Sequence, residues 1–303
     1  MSGSHVKTDA IVMCLHNNYF NDCDNTMSVK TLPDQITDLL MALVFIGKLV
    51  PGDKLPPERQ FAKYLGVDRT SLRMALRTLT RMNVVHTLQG SGIRVLDYKV
   101  DGGLGFLGDL YQIDELELGS GLLLSGLEFS RRAMPVALKM SLENSAQNSQ
   151  GKILGVVHKM YQGVRGSDNY CDLAKLEVEL IDTLLESTNN VFMQVAASSS
   201  RQIRQVLTEK SYQLIDVKAH LDWLIGMVML IVSGIADVDE TVDQYVEYID
   251  KTLQPLKNYL FTLPKEPHLI SSPLHNGKNI MDLDDIMRND SENIISCLSA
   301  VKT

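Results

Sequence analysis

Residues 51–95 decide the fold of the N-terminal part of the chain, and they read PGDKLPPERQFAKYLGVDRTSLRMALRTLTRMNVVHTLQGSGIRV. Paired prolines and a first-turn acid predict a short helix, which ends at Gly66 because glycine adopts the left-handed conformation of helix C-termini. Asp68 is a suitable N-cap for a second helix over residues 70–82, where leucines recur at helical spacing. Two short strand-like runs around a turn at 89–92 predict a hairpin. Together these elements predict a winged helix-turn-helix.

The polar face of the second helix carries Arg69, Arg73 and Arg77, each four residues apart. Because four residues advance a helix by roughly 400°, these arginines form one slowly drifting row. Arginine can bridge guanine bidentately, and the N-terminal end of a recognition helix is the part that enters the major groove. A solvated helix face would show the same row. The row alone therefore leaves both interpretations open.

The stretch resembles the DNA-binding domain of the GntR superfamily of bacterial transcription factors. The residues that fit the family pattern at its fixed offsets are Pro51, Gly52, Leu55, Pro56, Glu58, Arg59, Ala62, Leu65, Gly66, Val67, Arg69, Arg73, Ala75, Leu76, Leu79, Gly90 and Gly92. The resemblance implies DNA contacts from both helices and from the wing tip, at Arg59, Arg69, Thr70, Ser71, Arg73, Gln89, Gly90 and Ser91. Asp68 departs from the pattern, since Ser, Thr or Asn is usual there. It either serves only as the helix cap or alters base preference.

The charge distribution agrees with one DNA-binding face on an acidic body. The chain of 303 residues has a net charge of −8, with 45% hydrophobic and 22% charged residues. Residues 51–97 contain eight Lys and Arg against four Asp and Glu, a local charge of +4, so the remainder carries −12. Because the acidic remainder repels DNA, double-stranded operator DNA is expected to meet the basic segment.

Cysteine usage and hydropathy indicate a cytoplasmic protein without a membrane partner. Cys14, Cys23, Cys171 and Cys297 lie far apart without a C-x-x-C pair, so we expect neither a zinc module nor a disulfide framework. The longest uncharged run, 223–236, is shorter than the roughly 20 residues that span a bilayer.

The chain divides into four parts. Residues 1–28 are a polar arm or tag, 29–98 the winged helix-turn-helix, 104–260 an all-α effector-binding and dimerisation domain, and 264–303 a polar tail predicted to be disordered. A flexible joint is expected near 101–105. Helices of the second domain are expected near 113–125, 127–146, 150–164, 170–187, 190–209, 211–234 and 239–260. The predicted fold class is thus mainly α, with a small β-hairpin wing and a C-terminal helical bundle.

The second domain resembles the effector domain of the FadR subfamily in position, size and helix order. Many members of that subfamily hold a metal with an aspartate, a histidine four residues later and two further histidines. Glu177 and Ile181 stand at the first two positions here, and Tyr248 or Asp250 at the last, while the spacing of His220 does not match the remaining one. A site without its imidazoles holds transition metals poorly. We therefore expect no metal and no cofactor, and the resemblance implies an effector such as a fatty acyl-CoA.

Apolar residues at helical spacing are candidates for lining an effector cavity, and Arg131 is a candidate partner for a carboxylate or phosphate. The predicted ligand contacts are Leu123, Arg131, Leu180, Leu184 and Met227. A plain bundle core would show the same apolar pattern, and a solvated helix face would also carry an arginine.

These patterns predict a ligand-responsive transcription regulator that binds DNA as a homodimer. Two half-sites about one helical turn apart would give a single recognition helix per subunit useful affinity. No nucleophile, base and oxyanion arrangement is apparent, so we expect no enzyme. The alternatives are a metal-dependent sensor of a small carboxylate and a ligandless dimeric DNA-binding protein.

Overall fold

A computed structural model describes residues 30–88, 90–144, 147–166 and 169–275. Its N-terminal part is the predicted winged helix-turn-helix. The helices are α1 (Leu32–Phe45), α2 (Glu58–Leu65) and α3 (Arg69–Arg81), and the antiparallel wing strands are β1 (Val85–Leu88) and β2 (Gly92–Val95). Their hydrophobic faces meet in one core.

Local sequence signals set the ends of these helices. Gly66 has φ 71° and ends α2 in the left-handed conformation, as expected. Asp68 caps α3 by accepting a hydrogen bond from the Ser71 backbone N–H at 2.9 Å. Thr31 and Asp34 form a reciprocal capping box at the start of α1. The boundaries predicted from capping chemistry are therefore confirmed in this part of the chain.

The C-terminal part is helical and also includes a small two-stranded sheet. Its elements are α4 (Leu104–Leu110), β3 (Leu116–Glu117), α5 (Gly119–Glu143), α6 (Gln147–Gly166), α7 (Tyr170–Ser187), α8 (Val191–Ser199), α9 (Arg201–Tyr212), α10 (Val217–Ser233), α11 (Val238–Thr252), α12 (Gln254–Leu260) and β4 (His268–Leu269). The predicted all-α bundle is confirmed for α5 to α12.

Three predicted helix boundaries were wrong. The two helices expected over 113–125 and 127–146 are largely one helix, α5. Gly126 does not end that helix; a side chain there would meet the terminal methyl of Ile203, so glycine permits close packing of α5 on α9 without displacing that methyl. The helix expected over 190–209 breaks at Ser200, and the one expected over 239–260 breaks at Leu253, with Pro255 in the first turn of α12.

The segment that follows the bundle packs on the DNA-binding part. Strand β4 pairs antiparallel with β3, and Leu269 and Leu274 are buried in the same core as the winged helix-turn-helix. Residues 264–303 were predicted to be a disordered tail, and this prediction is wrong for 268–274. Alternation of polar and apolar residues there is too short to predict a strand. Residues 276–303 and the arm at 1–28 lie outside the described residues.

The joint expected near 101–105 is a packed turn instead of a flexible linker. The ring of Tyr98 stacks on Phe106 with centroids 4.7 Å apart, and Gly102 lies so close to the Tyr98 carbonyl that no side chain fits. Phe106 and Leu110 of α4 are buried in the core of the winged helix-turn-helix. The other side of α4 packs on α8 and α9, so α4 connects the DNA-binding part with the bundle.

Two further observations bear on the sequence-based expectations. Cys171 is disulfide-bonded, whereas the sequence predicted no disulfide framework, and Cys14, Cys23 and Cys297 lie outside the described residues. No helix within the described ranges is long and apolar enough to cross a membrane.

Candidate nucleic-acid interface and effector cavity

The described residues among those predicted to contact DNA are all accessible to solvent, and Arg73, Gly90 and Ser91 line one groove. Five of these residues are exposed: Arg59, Arg69, Thr70, Arg73 and Gly90. Two are half-buried, Ser71 and Ser91. Gln89 lies outside the described residues. The opposite face of α3 is buried through Leu72, Ala75, Leu76 and Leu79, so packing forces the arginine row towards solvent.

A groove of about 620 Å³ separates α3 from the wing. Its cationic lining residues are Lys54, Arg73 and Arg77, and Glu58 is its one acid among the described residues. Arg73 donates to Glu58 through Nη2 at 2.7 Å and through Nε at 3.2 Å. Both side chains are partly exposed, so the ion pair contributes little to stability. It orients Arg73 in the groove, and a phosphate or base edge can replace the carboxylate.

Asp68 is fully engaged as a cap. Its two carboxylate oxygens accept from the backbone N–H and the hydroxyl of Ser71, at 2.9 and 2.6 Å. The hydrogen bond from the Ser71 hydroxyl, followed by that from its backbone N–H, lowers the pKa of the Asp68 carboxyl. Asp68 is therefore a carboxylate at neutral pH, at the end of α3 that faces DNA in a helix-turn-helix.

Two adjoining cavities, of about 40 and 90 Å³, lie among α5, α7, α9, α10 and α11. They share a wall formed by Met134, Glu177, Ile181, His220, Tyr245 and Ile249. The smaller cavity is otherwise apolar and is lined by the predicted contacts Leu180, Leu184 and Met227. The larger is lined by the predicted Arg131 and also by Arg204, Thr208 and Ser211. Leu123 lines neither cavity, since it packs on the cluster of Leu127, Leu256 and Leu260.

A buried polar cluster occupies the shared wall. His220 Nε2 lies 3.1 Å from a Glu177 oxygen, and His220 Nδ1 lies 3.1 Å from the Tyr248 hydroxyl. Tyr212 donates its hydroxyl to the same Glu177 oxygen. Burial opposes ionisation of Glu177, but hydrogen bonds from His220 and Tyr212 and the attraction of His220 outweigh it, so the pKa of this carboxyl is lowered. The ring of Trp223 stacks on Tyr248 with centroids 3.6 Å apart.

This cluster contains three of the positions compared with the metal ligands of the FadR subfamily, Glu177, His220 and Tyr248. Ile181 adds no donor, and Asp250 accepts both hydrogen bonds of a bidentate pair with Arg131. Within the described ranges, no three His, Cys, Asp or Glu side chains form a group that could hold a metal. The donor set therefore does not fit the metal site of the subfamily.

Arg204 is the second cation of the larger cavity and has only 9% of its side chain exposed. Its Nη2 donates to Asp182 at 2.5 Å and to the Ala197 carbonyl at 2.8 Å. Its Nε and Nη1 groups are buried without a hydrogen-bond partner in the part of the chain that the structure describes. A buried donor left unpaired typically costs about 1–3 kcal/mol, and more when it is charged, so these two groups are an unusual feature.

Sequence comparison assigns the N-terminal part. The family described as bacterial regulatory proteins, gntR family, matches residues 32–95, which include the capped recognition helix, its arginine row and the wing. Residues 32–95 are a GntR-family DNA-binding domain.

Relatives extend past this GntR domain but do not cover the whole chain. The regulator Mce2R of Mycobacterium tuberculosis is 30% identical over 117 residues, 38% of this chain and 48% of that protein. The fatty acid metabolism regulator protein of Vibrio parahaemolyticus is 25% identical over 114 residues, 38% of this chain and 40% of that protein. The chain thus spans about half the length, or less, of these curated relatives.

Among solved structures, Lar of Listeria monocytogenes, described as controlling expression of the agr system, aligns with a TM-score of 0.45 and 18% identity. The alignment covers 78% of this chain and 99% of that one. A likeness of this size defines neither the ligand of the bundle nor the placement of the GntR domain against it.

Arg204, Tyr212 and Tyr245 line the cavities but were not predicted from the sequence. Arg204, Thr208 and Ser211 recur at helical spacing, which indicates one face of α9, but the same spacing suits a solvated face. Only the packing of α9 on α5 and α7 turns that face inward.

Proposed function

We propose that the protein is a ligand-responsive transcription regulator that binds operator DNA as a homodimer in the cytoplasm. The observation that carries the proposal is the GntR domain, whose recognition helix presents exposed Arg69 and Arg73 next to a cationic groove. One recognition helix has a small footprint, so a dimer on two half-sites would be needed for useful affinity. We expect Arg59, Thr70, Ser71 and the wing tip to contribute further DNA contacts.

The proposed effector is an organic acid bound without a metal. A bundle cavity with an apolar end and an end that contains Arg131 and Arg204 supports an amphipathic anion. The resemblance to the FadR subfamily, and the relative that is a fatty acid metabolism regulator, suggest a fatty acyl-CoA. Cavities of about 40 and 90 Å³ favour a smaller acid, because a cavity of roughly 150 Å³ holds a molecule of the size of benzene.

The connection between effector and DNA is proposed to run through α4 and the segment after the bundle. Helix α4 packs on α8 and α9 on one side and in the core of the GntR domain on the other. A ligand that moves α9 would therefore displace the GntR domain without a flexible linker. Such a ligand changes DNA binding only if it binds the two arrangements with different affinity.

The test begins with selection of an operator from a random double-stranded DNA library by the full chain. Operator affinity is then measured with and without small carboxylates and with a long-chain acyl-CoA, and the mass of the complex is measured by native mass spectrometry. We expect two subunits per operator and an affinity that changes at least about fivefold with one acid. Failure to select any sequence would refute DNA-binding regulation. Unchanged affinity with every acid would favour a ligandless dimer.

Metal content distinguishes the proposed metal-free regulator from a metal-dependent sensor of a small carboxylate. The purified protein is analysed for zinc, nickel and manganese after mild chelation, and the acid titrations are repeated with each metal added. We expect less than about 0.1 metal per subunit and no metal dependence of acid binding, because Glu177 and His220 bind each other. Stoichiometric metal, with acid binding that requires it, would instead support a metal-dependent carboxylate sensor.

A further inference from the structure

We infer that Arg204 anchors the carboxylate of a compact organic monocarboxylic acid, whose apolar body lies towards the Leu180–Leu184 end of the paired cavities. This inference deepens the proposed function and rests on it for the existence of an effector. No sequence motif indicates Arg204 as a ligand contact. A monocarboxylic acid is also a narrower ligand class than the organic acid of the proposed function.

The hydrogen bonding of Arg204 carries the inference. Guanidinium groups that are more than nine-tenths buried normally have their N–H groups satisfied, because unpaired charged donors are costly. Asp182 and the Ala197 carbonyl together use only Nη2, and Nε and Nη1 have no hydrogen-bond partner among the described residues. Arg201 binds the other oxygen of the same Asp182 carboxylate. Two guanidinium groups thus share one carboxylate, and Nε and Nη1 of Arg204 are left to donate to an anion.

The cavity next to Arg204 supplies the space. Arg204, Thr208 and Ser211 lie on one face of α9 and line the larger cavity of about 90 Å³. Because Nε and Nη1 are closed to water, the cavity must widen slightly at Arg204 before an oxygen reaches these donors. Arg131 also lines this cavity, but its guanidinium is already bound to Asp250. Arg204 is therefore the cation with free donors.

The rest of the lining limits the ligand to one carboxylate. Glu177 lies on the wall between the cavities, where its carboxylate accepts hydrogen bonds from Tyr212 and His220. A second ligand carboxylate placed beyond this wall would meet the Glu177 charge and apolar side chains. Repulsion and lost hydration would both oppose it. The two cavities, of about 40 and 90 Å³, together fall below the roughly 150 Å³ that holds benzene, so the apolar body is expected to be no larger than a benzene ring.

Isothermal titration calorimetry of the full chain tests the site without DNA. The probes are benzoate, butyrate and hexanoate. Benzamide is the control for benzoate because it has the same ring without the charge. Succinate is the control for butyrate because it has the same number of carbons and a second carboxylate. We expect at least one monocarboxylate to bind, with benzamide or succinate at least about tenfold weaker than its match. Inorganic phosphate is expected not to compete.

Two arginine variants locate the binding. Arg204→Gln is expected to weaken monocarboxylate binding about tenfold or more, whereas Arg201→Gln, which removes the other partner of Asp182 outside the cavity, is expected to change it less than about twofold. If Arg204→Gln fails to fold, Arg204→Lys and the benzoate–benzamide comparison on the unaltered protein replace it.

Several outcomes would overturn the inference. They are no binding by any of the three monocarboxylates, equal binding of benzoate and benzamide, tighter binding of succinate than of butyrate, or full retention of affinity in Arg204→Gln. Because calorimetry requires no operator, a protein that binds these acids but no DNA would refute the proposed function and leave the acid site intact. A protein that binds DNA but none of these acids would refute the acid site and leave DNA-binding regulation intact.

Discussion

Arg73 already forms an ion pair with Glu58 in the absence of DNA, and this pair fixes the position of its guanidinium group. Glu58, from the first turn of α2, holds its guanidinium in the groove beside the wing, and that hydrogen bond raises the pKa of Arg73. The pair is exposed, so water screens it strongly. We infer that Glu58 orients Arg73 and is replaced by a DNA group when the complex forms.

Replacing Arg73 tests its proposed base contact. Arg73→Ala is expected to weaken binding to the selected operator about tenfold or more and to relax the preference at one base pair, because a bidentate contact to guanine is lost. Electrophoretic mobility shifts on single-base operator variants measure both effects. Glu58→Gln is the matched control, since it keeps Arg73 and removes only its partner; we expect equal or tighter binding. Unchanged affinity and preference in Arg73→Ala would contradict a base contact.

Asp68 caps α3, and we propose that its charge also opposes binding of DNA phosphate; a pair of substitutions separates the two effects. Asp68→Thr keeps a side-chain oxygen for the Ser71 N–H and removes the charge that repels phosphate, so operator binding is expected to tighten with little change in melting temperature. Asp68→Ala removes the cap and is expected to lower the melting temperature by several degrees. Calorimetric melting and mobility shifts measure the two effects. Weaker DNA binding by a fully folded Asp68→Thr would show that the carboxylate helps recognition.

At the scale of elements, the segment after the bundle ties the two parts of the chain together. Backbone carbonyls of Pro264 and Lys265 accept from Ser120 and Gly121 at 2.8 and 3.2 Å, which satisfies the otherwise unpaired first N–H groups of α5. Gly119 has φ 72° and lies against the same segment, so only glycine fits. The chain then places Leu274 in the core of the GntR domain, and the Gln35 side chain accepts from the His275 N–H.

This packing predicts that one buried leucine outside the GntR domain stabilises it. Leu274 is 2% exposed, so Leu274→Ala is expected to lower the free energy of unfolding by about 2–4 kcal/mol. Ile270 is 55% exposed in the same segment, and Ile270→Ala is expected to change it by less than about 0.5 kcal/mol. Urea unfolding followed by circular dichroism measures both variants. Equal effects of the two substitutions would mean that this segment does not pack in solution.

Glu177 on α7 predicts a pH dependence of bundle stability. Its folded pKa is lowered from 4.5, so its ionisation contributes stability that is present above about 4.5 and is lost as pH falls through the folded value. Glu177→Gln is expected to reduce stability at pH 7, with a difference from the unaltered protein that shrinks below pH 4.5. Glu179→Gln, on an exposed position of the same helix, is the control. A difference that stays constant with pH would contradict the ionised Glu177.

For the whole molecule, charge is divided between a basic DNA-binding face and an acidic body. Residues 51–97 carry +4 within a chain of net charge −8. The acidic remainder limits non-specific attachment to DNA and favours approach through the GntR domain. Burial of α4 and of the terminal segment in the core of that domain means that its orientation follows the bundle.

The salt dependence of operator binding tests this division of charge. The logarithm of the binding constant is expected to fall linearly with the logarithm of salt concentration, and Arg69→Ala is expected to reduce the slope by about 1 per subunit if Arg69 contacts phosphate. Arg132→Ala, at a 73% exposed position on the bundle, serves as the control with an unchanged slope. Fluorescence anisotropy between about 50 and 200 mM salt provides the measurement. An equal change in both variants would contradict a localised DNA face.

Sequence by itself determined the GntR domain, because its signals are local. The cap at Asp68, the left-handed Gly66 and the leucine period of α3 act within a few residues, and each has the predicted conformation. The bundle was also predictable as helical, since apolar periodicity is a local pattern. The breaks between helices were less predictable from sequence. Glycine often ends a helix, but Gly126 lies inside α5, where it leaves space for the Ile203 side chain of α9.

Only the tertiary structure decided which polar residues meet. Glu177, Tyr212 and His220 lie on three different helices, and no spacing in the sequence places them together. The same holds for the free donors of Arg204 and for the return of Leu274 to the first domain, because both depend on contacts between segments far apart in the chain. Local hydrogen bonding and hydrophobic periodicity define elements, whereas burial and pairing of distant side chains define the cavity and the connection to DNA.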